Sequence, residues 1–380
     1  MTPSSRFIGA RLRQAREALG LTETALSEIL RVTRQAVSNW ETGRDSPRPE
    51  IFDELCRALR QPSYFFTQPL AEYFQHGTIF YRSLSSTTKT ARLRAQARKL
   101  WAREIAHGVQ RYVEFPEVHF PRPEIPNPLA LTGADIDKLA QLAREFWGVG
   151  TGPMPNLVRL LENNGAVIIR DNLDSETLDA LSEWLEPENR PLVLLNADKS
   201  SAVRSRLDLA HETAHLVIHR SVRAEHLNKK AIFSQIEKQA FRFGGALLLP
   251  EKPFLSDLYS LSLDALRTLK SKWLVSIGAM ISRLSVLGIL SDDQQRRMWI
   301  NYRRRGWSEQ EPLDDQIAAE APSLLPVAFK VLSEEGMRPD QIPAIIGHGR
   351  SQIEALANLP RGYFEPALPS VNVIRFPKAN

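Results

Sequence analysis

The chain has 380 residues, of which 43% are hydrophobic and 24% charged, with a formal net charge of +5. This length predicts about two to four domains, and the composition is that of an ordinary soluble globular protein. A cytoplasmic protein is expected, because no apolar run approaches the ~20 residues of a membrane span, the N-terminus lacks a signal-peptide pattern and Cys56 has no second cysteine to pair with.

The order of apolar periods, glycines and prolines predicts a multi-domain, mainly α-helical protein with a small α+β domain at its centre. Four units are expected: a five-helix N-terminal domain over 1–68, a basic helical connector over 69–125, the α+β domain over 126–255 and an all-helical C-terminal domain over 256–380. The C-terminal domain is expected to contain a helix-turn-helix-like segment with its turn at 273–276.

The N-terminal stretch "LTETALSEILRVTRQAVSNWETG" (21–43) has the pattern of two short helices joined by a tight turn. Thr22 and Thr33 are expected N-caps, and Gly43 is an expected C-cap residue. In a helix-turn-helix the second helix lies in the major groove of DNA. Here that helix would begin after Thr33.

Polar side chains on this second helix suit base recognition. Glutamine and asparagine can pair with adenine edges, and arginine can pair with guanine or phosphate. The predicted DNA-binding residues are Arg34, Gln35, Ser38, Asn39 and Arg44. The alternative is a helical bundle with an ordinary polar surface.

Residues 7–66 resemble the XRE family, which has the lambda-repressor/Cro-like helix-turn-helix. The resemblance rests on Gly20, Leu21, Leu26, Pro47 and the stretches "RQAVSNWETG" and "LCRALRQP". It implies base contacts from the second helix, a double-stranded DNA operator as partner and pairing into homodimers. The chain has "TET" at 22–24, near the position where the family often has glutamine. This departure weakens the implication that the first helix contacts a phosphate, but it does not affect the implied fold.

Two stretches of the chain are rich in arginine and lysine. One lies on the predicted connector helix and the other near the C-terminal domain's middle; their residues are Arg92, Arg94, Arg98, Lys99, Arg103, Arg296, Arg297, Arg303, Arg304 and Arg305. They are expected either to form solvated faces or to contact phosphates, which would steepen the salt dependence of DNA binding without adding sequence choice.

The stretch "LDLAHETAHLVIHR" (207–220) contains three of the eight histidines. His211 and His215 are four residues apart and therefore share one face of a helix, where both imidazoles can bind one Zn²⁺. Glu212 would lie beside the open coordination position and act as general base on a metal-activated water. The alternative is a chance match on a surface helix.

A catalytic zinc site needs a third protein ligand. His219 lies about 12 Å along the helix axis from His211, too far for both to bind one ion, so it is expected to pack or to support a ligand. Two candidates for the third ligand remain, Glu237 on the next predicted helix and His226 in a predicted loop. Glu237 is favoured because two histidines and one glutamate form a known catalytic set.

Residues from about 78 to 310 resemble the ImmA/IrrE family of bacterial zinc metallopeptidases, which have a zincin-like fold. The stretches that carry the resemblance are "IFYRSLSS", "GPMPNLVRLLENNGAVIIR", "RPLVLLNADKSSAVRSRLDLAHETAHLVIH", "EKQAFRFGGALLLP" and "LKSKWLVSIGAMISRLSVLGIL". The resemblance implies His211, His215 and Glu237 as zinc ligands and Glu212 as the catalytic glutamate. It also implies a cytoplasmic endopeptidase that cleaves a helix-turn-helix repressor under stress such as DNA damage.

The sequence departs from the family's usual H-E-L-G-H, because Thr213 and Ala214 occupy the middle positions. Alanine is nearly as small as glycine, so the zinc site is expected to survive. Asp208, one turn before His211, is expected either to support a ligand histidine or to form a solvent-facing cap.

The run "PLVLLNAD" (191–198) is a predicted strand just before the histidine helix. In zincin folds an edge strand beside the metal helix pairs with an extended substrate. Leu192, Val193, Leu194 and Leu195 are therefore expected to bind the substrate backbone or to pack next to it. The alternative is a buried central strand.

Three functional interpretations follow. The first is a bacterial, nucleoid-associated transcriptional regulator whose zinc endopeptidase cleaves a repressor, or the chain itself, in response to a stress or phage-related signal. The second is a transcription factor whose zinc domain is a non-catalytic sensor or scaffold. The third is an antitoxin-like partner in a toxin or defence locus, with the C-terminal helices binding another protein.

Overall fold

The computed structural model describes residues 7–70, 80–81, 88–175, 178–198, 201–222, 227 and 229–365. Within these residues the protein is mainly helical, with one small sheet at the centre, and the predicted fold class is confirmed. None of the described helices is long and apolar enough to span a membrane.

The N-terminal domain contains the five predicted helical elements. They are α1 (Gly9–Ala18), α2 (Glu23–Ile29), α3 (Arg34–Glu41), α4 (Pro49–Ala58) and a 3₁₀ turn (Ser63–Thr67). Both predicted N-caps are confirmed: the Thr22 hydroxyl accepts from the Ala25 N–H at 3.1 Å, and the Thr33 hydroxyl accepts from the Ala36 N–H at 3.1 Å. Gly43 ends α3 with a φ of +71°, a conformation that glycine adopts without steric cost.

A four-stranded sheet divides the rest of the chain into two sides. Its strands are β1 (Phe80–Tyr81), β2 (Val167–Asp171), β3 (Ala180–Leu185) and β4 (Arg190–Asn196), in the order β1-β3-β4-β2. β4 pairs antiparallel with β3 and parallel with β2. Successive side chains of a strand point to opposite faces of the sheet. Val193 and Leu195 of β4 therefore pack into the hydrophobic core on one side of the sheet, and Leu192 and Leu194 pack into the core on the other side.

Of the two alternatives for Leu192, Val193, Leu194 and Leu195, the structure has the buried central strand and excludes a substrate-pairing edge strand. β4 is hydrogen-bonded on both sides, with Val193 opposite Ile168 of β2 and Ser182 of β3. Its backbone groups are therefore already paired and cannot receive a substrate strand. The four residues are fully buried and contribute to the core on either side of the sheet.

The histidine helix and its neighbours cover one face of the sheet. These elements are α6 (Gly133–Phe146), α7 (Leu157–Asn163), α8 (Ala202–Ile218), α9 (Lys230–Leu248), α10 (Glu251–Asp257), α11 (Leu263–Trp273), α12 (Ile277–Val286) and α13 (Asp292–Arg304). The predicted turn at 273–276 is confirmed: α11 ends at Leu274 in the left-handed conformation, and Ser276 caps α12.

The opposite face is covered by α5 (Lys89–Gln110) together with α14 (Leu324–Glu334), α15 (Ile342–Ile346) and α16 (Arg350–Leu356). The basic residues of α5 are not all exposed, which corrects the expectation of a solvated or phosphate-binding face. Arg98 pairs with Asp171, Lys99 pairs with Glu183, and all four side chains are buried. Arg103 is also buried and donates to the backbone carbonyl of Glu186.

The helix-turn-helix domain is fastened to this face by a buried polar cluster. Arg11 of α1 donates to Glu104 of α5 at 2.8 Å, and the His348 Nε2 lies 2.8 Å from the same carboxylate. The Tyr64 hydroxyl donates to the His348 carbonyl at 3.1 Å. Burial raises the pKa of Glu104, but hydrogen bonds and charge from His348 and Arg11 outweigh it and lower that pKa. The N-terminal domain and the segment around His348 thus meet on α5.

Candidate metal centre

Three side chains from two helices bring ligand atoms together. The Nε2 atoms of His211 and His215 on α8 lie 3.1 Å apart. Glu237 on α9 places one carboxylate oxygen 3.3 Å from the His211 Nε2 and the other 3.4 Å from the His215 Nε2. All three residues are buried.

This spacing fits a zinc ion. A tetrahedral ion with bonds of ~2 Å separates its ligand atoms by about 3.3 Å. Two imidazoles and one carboxylate are also a donor set used by catalytic zinc sites. The structure therefore brings together the three residues predicted from the sequence, His211, His215 and Glu237, whereas His226 lies outside the described residues.

Close packing of α9 on α8 positions the third ligand. Gly244 lies directly over α8, where a Cβ would be 3.0 Å from the backbone nitrogen of His211 and 3.1 Å from the carbonyl carbon of Ala210. A larger residue would push α9 away from α8. The glycine that allows this approach is on α9, and Ala214 fits on α8 with no exposed surface.

The charge state of Glu237 suits a metal ligand. Burial acts to raise the pKa of its carboxyl, but hydrogen bonds and charges from His211 and His215 outweigh it and lower the pKa to about 2. Glu237 is therefore a carboxylate at neutral pH, as metal binding requires.

Glu212 directly follows His211 on α8 but is not one of the three clustered ligands. Its side chain is fully buried, and the hydroxyl of Ser182 on β3 donates to its Oε2 at 2.6 Å. This bond fixes the carboxylate of Glu212 against the sheet. Sequence reasoning missed Ser182, because its strand is about thirty residues away and no motif marks it.

His219 supports His215. The side-chain amide of Gln239 donates to the Pro128 carbonyl at 2.9 Å, so its oxygen accepts from the His219 Nε2 at 3.0 Å. His219 then uses Nδ1 as acceptor, and the His215 Nδ1–H donates to it at 3.0 Å. This order of donors leaves the His215 Nε2 as the nitrogen with a lone pair for a metal.

The expected supporting role of His219 therefore has a specific geometry. Burial and the neighbouring His215 lower the pKa of His219 to about 3, so it is neutral and can accept a hydrogen bond. Asp208 is also buried, which excludes the solvent-facing cap considered for it.

The predicted DNA-binding residues lie together on the surface of the N-terminal domain. Arg34, Gln35 and Arg44 are exposed, and Ser38 and Asn39 are half-buried. The side-chain amide of Gln35 donates to the Asn39 Oδ1 at 3.0 Å, and Arg34 donates to Glu23 at 2.9 Å.

Comparisons with known proteins identify both regions. Residues 12–65 match a helix-turn-helix family model, and residues 161–285 match the peptidase M78 model, described as an IrrE N-terminal-like domain. The chain combines an XRE-like helix-turn-helix with an IrrE-like domain. An uncharacterized HTH-type transcriptional regulator of Sinorhizobium fredii is 36% identical over 64 residues, which are 17% of this chain and 45% of that protein. The chain thus spans less than half the length of this curated relative.

The IrrE-like match includes every residue of the metal centre. It begins on α7, contains β2, β3 and β4, and ends within α12. His211, Glu212, His215 and Glu237 all fall inside it, and so does Ser182.

Removing the support of His215 should weaken zinc binding at the candidate metal centre. Gln239→Leu eliminates the acceptor of the His219 Nε2–H, so His219 no longer holds His215 in one tautomer. We expect zinc affinity to fall about 10- to 100-fold, the usual effect of losing such a partner. Competition with a zinc chelator measures it. Gln235→Leu, an exposed glutamine on the same helix, is the matched control, and equal affinity in the two variants would contradict the relay.

Proposed function

We propose that the chain is a DNA-bound transcriptional regulator whose IrrE-like domain is a zinc-dependent endopeptidase. Its substrate is a repressor or the chain itself, and cleavage occurs in response to a stress or phage-related signal. The observation that carries the proposal is the cluster of His211, His215 and Glu237, together with Glu212, a buried carboxylate held by Ser182 directly after His211 on the same helix.

In this proposal His211, His215 and Glu237 hold zinc, with Glu212 as the general base. Bound zinc supplies a Lewis acid that polarises a carbonyl and lowers the pKa of water. Glu212 accepts the proton of the attacking water and delivers it to the nitrogen of the leaving amine. Ser182 keeps the Glu212 carboxylate in one orientation, and Gln239 and His219 do the same for His215.

Tethering explains why one chain would carry both activities. A peptidase held at an operator meets a repressor bound nearby at a high effective concentration. The packing of α1 on α5, and of α5 on the sheet, favours a fixed distance between the DNA-binding surface and the metal centre. We further propose that the chain pairs into homodimers and acts in the bacterial cytoplasm at the nucleoid.

The direct test is cleavage in vitro. Full-length zinc-loaded protein is incubated with itself and with repressors encoded beside its own gene, and fragments are identified by mass spectrometry. We expect fragments that disappear on chelation and return with added zinc. Stoichiometric zinc with no cleavage, even with operator DNA present, would favour the non-catalytic sensor.

Helix α3, the second helix of the helix-turn-helix, should determine operator choice. Gln35→Ala and Asn39→Ala should each weaken binding to a selected operator by about 1–3 kcal/mol, the cost of losing a good base contact. Fluorescence anisotropy with selected and scrambled duplexes measures the loss of discrimination. Lys330→Ala, an exposed residue on α14, is the control. Unchanged discrimination in both variants would show that base contacts come from elsewhere.

A further inference from the structure

A cavity opens beside the candidate metal centre, between α8, α9, α12 and α13. Its volume is about 910 Å³. Phe241 of α9 lines the cavity, is 39% exposed, and has its ring centroid 4.6 Å from that of His211. Leu207, one helical turn before His211 on α8, lines it as well. A ligand in the cavity would therefore contact the Phe241 ring, which itself contacts the His211 ring.

One wall of the cavity is apolar. Leu207, Phe241, Val286 and Trp299 line it, and Val286 is 44% exposed. Gly278 keeps the space open, since a Cβ there would lie 3.3 Å from the Trp299 ring. Exposed side chains of this size are the usual lining of sites that bind apolar groups.

This wall continues beyond the first cavity. A second cavity of about 500 Å³ shares Trp299 and Arg303 with the first and adds Ile300 and Arg296. Ile300 is 47% exposed. We treat the two adjoining cavities as one groove, named here the α12–α13 groove, because they share Trp299 and Arg303.

The lining of the first cavity is strongly basic. Five cations contribute to it: Arg204, Lys238, Arg242, Arg283 and Arg303. Glu311 is the acidic residue among the described lining residues, and its carboxylate already binds Lys270 and the N–H groups of Ile277 and Gly278.

The protein neutralises the cations of the groove only in part. Arg242 and Arg283 share one carboxylate, that of Asp137. Lys238 and Arg303 are exposed, and neither forms an ion pair within the part of the chain that the structure describes. A negatively charged ligand would therefore meet the unpaired charges of Lys238 and Arg303 next to the apolar wall.

We propose that the α12–α13 groove binds the substrate of the peptidase, and that it selects a protein segment combining acidic with large apolar or aromatic side chains. This proposal rests on the proposed function, because it identifies the bound segment as the substrate of the peptidase. The preference for acidic and apolar side chains rests on the charge and shape of the groove. Nucleic acid fits the groove less well, because phosphates would make no apolar contact with the wall of Leu207, Phe241 and Val286.

Binding can be measured without cleavage by using the full-length chain with Glu212→Gln. The probe is a fluorescein-labelled twelve-residue peptide of glutamate, leucine and phenylalanine in equal numbers, compared with a peptide in which every glutamate is lysine. We expect the acidic peptide to bind, binding to weaken with added salt, and the lysine peptide to bind at least about tenfold more weakly. Equal binding of the two peptides would overturn the proposal.

Charge reversal locates the site. Lys238→Glu with Arg303→Glu should weaken binding of the acidic peptide at least about tenfold, whereas Lys330→Glu with Arg338→Glu, which are also exposed but lie on other elements, should not. Zinc content shows that the variants are folded. If both pairs have the same effect, or if a twelve-nucleotide single strand competes for the groove better than the acidic peptide, the groove does not select acidic protein segments.

The proposal and the peptidase can fail separately. Peptide binding in the Glu212→Gln chain that is lost on charge reversal supports the groove, even if no substrate of the unmodified chain is ever cleaved. Cleavage by the unmodified chain that is indifferent to Lys238→Glu with Arg303→Glu supports the peptidase and contradicts the groove.

Discussion

Replacing Glu212 with glutamine should slow substrate cleavage by about 10²–10⁴-fold, the typical contribution of a general base. Glutamine has the same shape and can still accept the hydrogen bond from Ser182, but it cannot take a proton from water. Glu212 is outside the His211, His215 and Glu237 cluster, so zinc should remain bound at one ion per chain. Single-turnover cleavage and metal analysis on the same preparation measure both quantities.

Two further variants separate the base from the metal ligands. Glu237→Ala should lose both zinc and activity, because a carboxylate that contacts both histidines is removed. Ser182→Ala should keep zinc and lose less activity than Glu212→Gln, since it only frees the orientation of the carboxylate. In a reporter strain, Glu212→Gln should leave target genes uninduced. A normal response to the inducing signal would make the zinc site structural or sensory.

The centre of the site could be predicted because its geometry is local. His211, Glu212 and His215 lie within five residues of one helix, where spacing alone determines which side chains share a face. Glu237 required only ligand chemistry and the expectation of a neighbouring helix. Ser182, on a strand of the sheet, follows from no spacing, because its distance to Glu212 depends on how β3 packs against α8.

Tertiary structure also determined what the sequence alone left undecided on α5. Arg98 and Lys99 have the composition of a solvated helix, and their partners Asp171 and Glu183 lie on two different strands. Burial of such residues depends on pairing that is distant in sequence. The position of β4 is similar: its run of leucines indicates a buried strand, but only the placement of β2 beside it makes it central.

Breaking the Lys99–Glu183 pair should destabilise the protein strongly. Lys99→Met should lower the free energy of unfolding by about 3–5 kcal/mol, because Glu183 would remain as an unpaired charge in the core. Burial lowers the pKa of Lys99, and the adjacent Glu183 carboxylate opposes that shift, so the pair is held by mutual neutralisation. Urea unfolding measures the change, with Lys89→Met at the exposed start of α5 as control.

The double variant distinguishes a buried charge from lost packing. Lys99→Met with Glu183→Leu removes both charges and should recover most of the stability, since apolar replacement of a buried pair is often neutral or stabilising. A double variant as unstable as Lys99→Met would instead mean that the groups pack in a way apolar side chains cannot reproduce.

The same pair should also support DNA binding, although neither Lys99 nor Glu183 is among the predicted DNA-binding residues. Glu104, five residues after Lys99 on α5, binds Arg11 of α1, so the helix that covers the sheet also carries the DNA-binding domain. Because these elements share one core, the urea midpoint for operator binding should fall in Lys99→Met together with the midpoint for the whole chain. Anisotropy of labelled operator, followed through the urea titration, measures the first midpoint. If operator binding outlasts unfolding of the sheet, the helix-turn-helix folds independently, and α5 connects two separate domains.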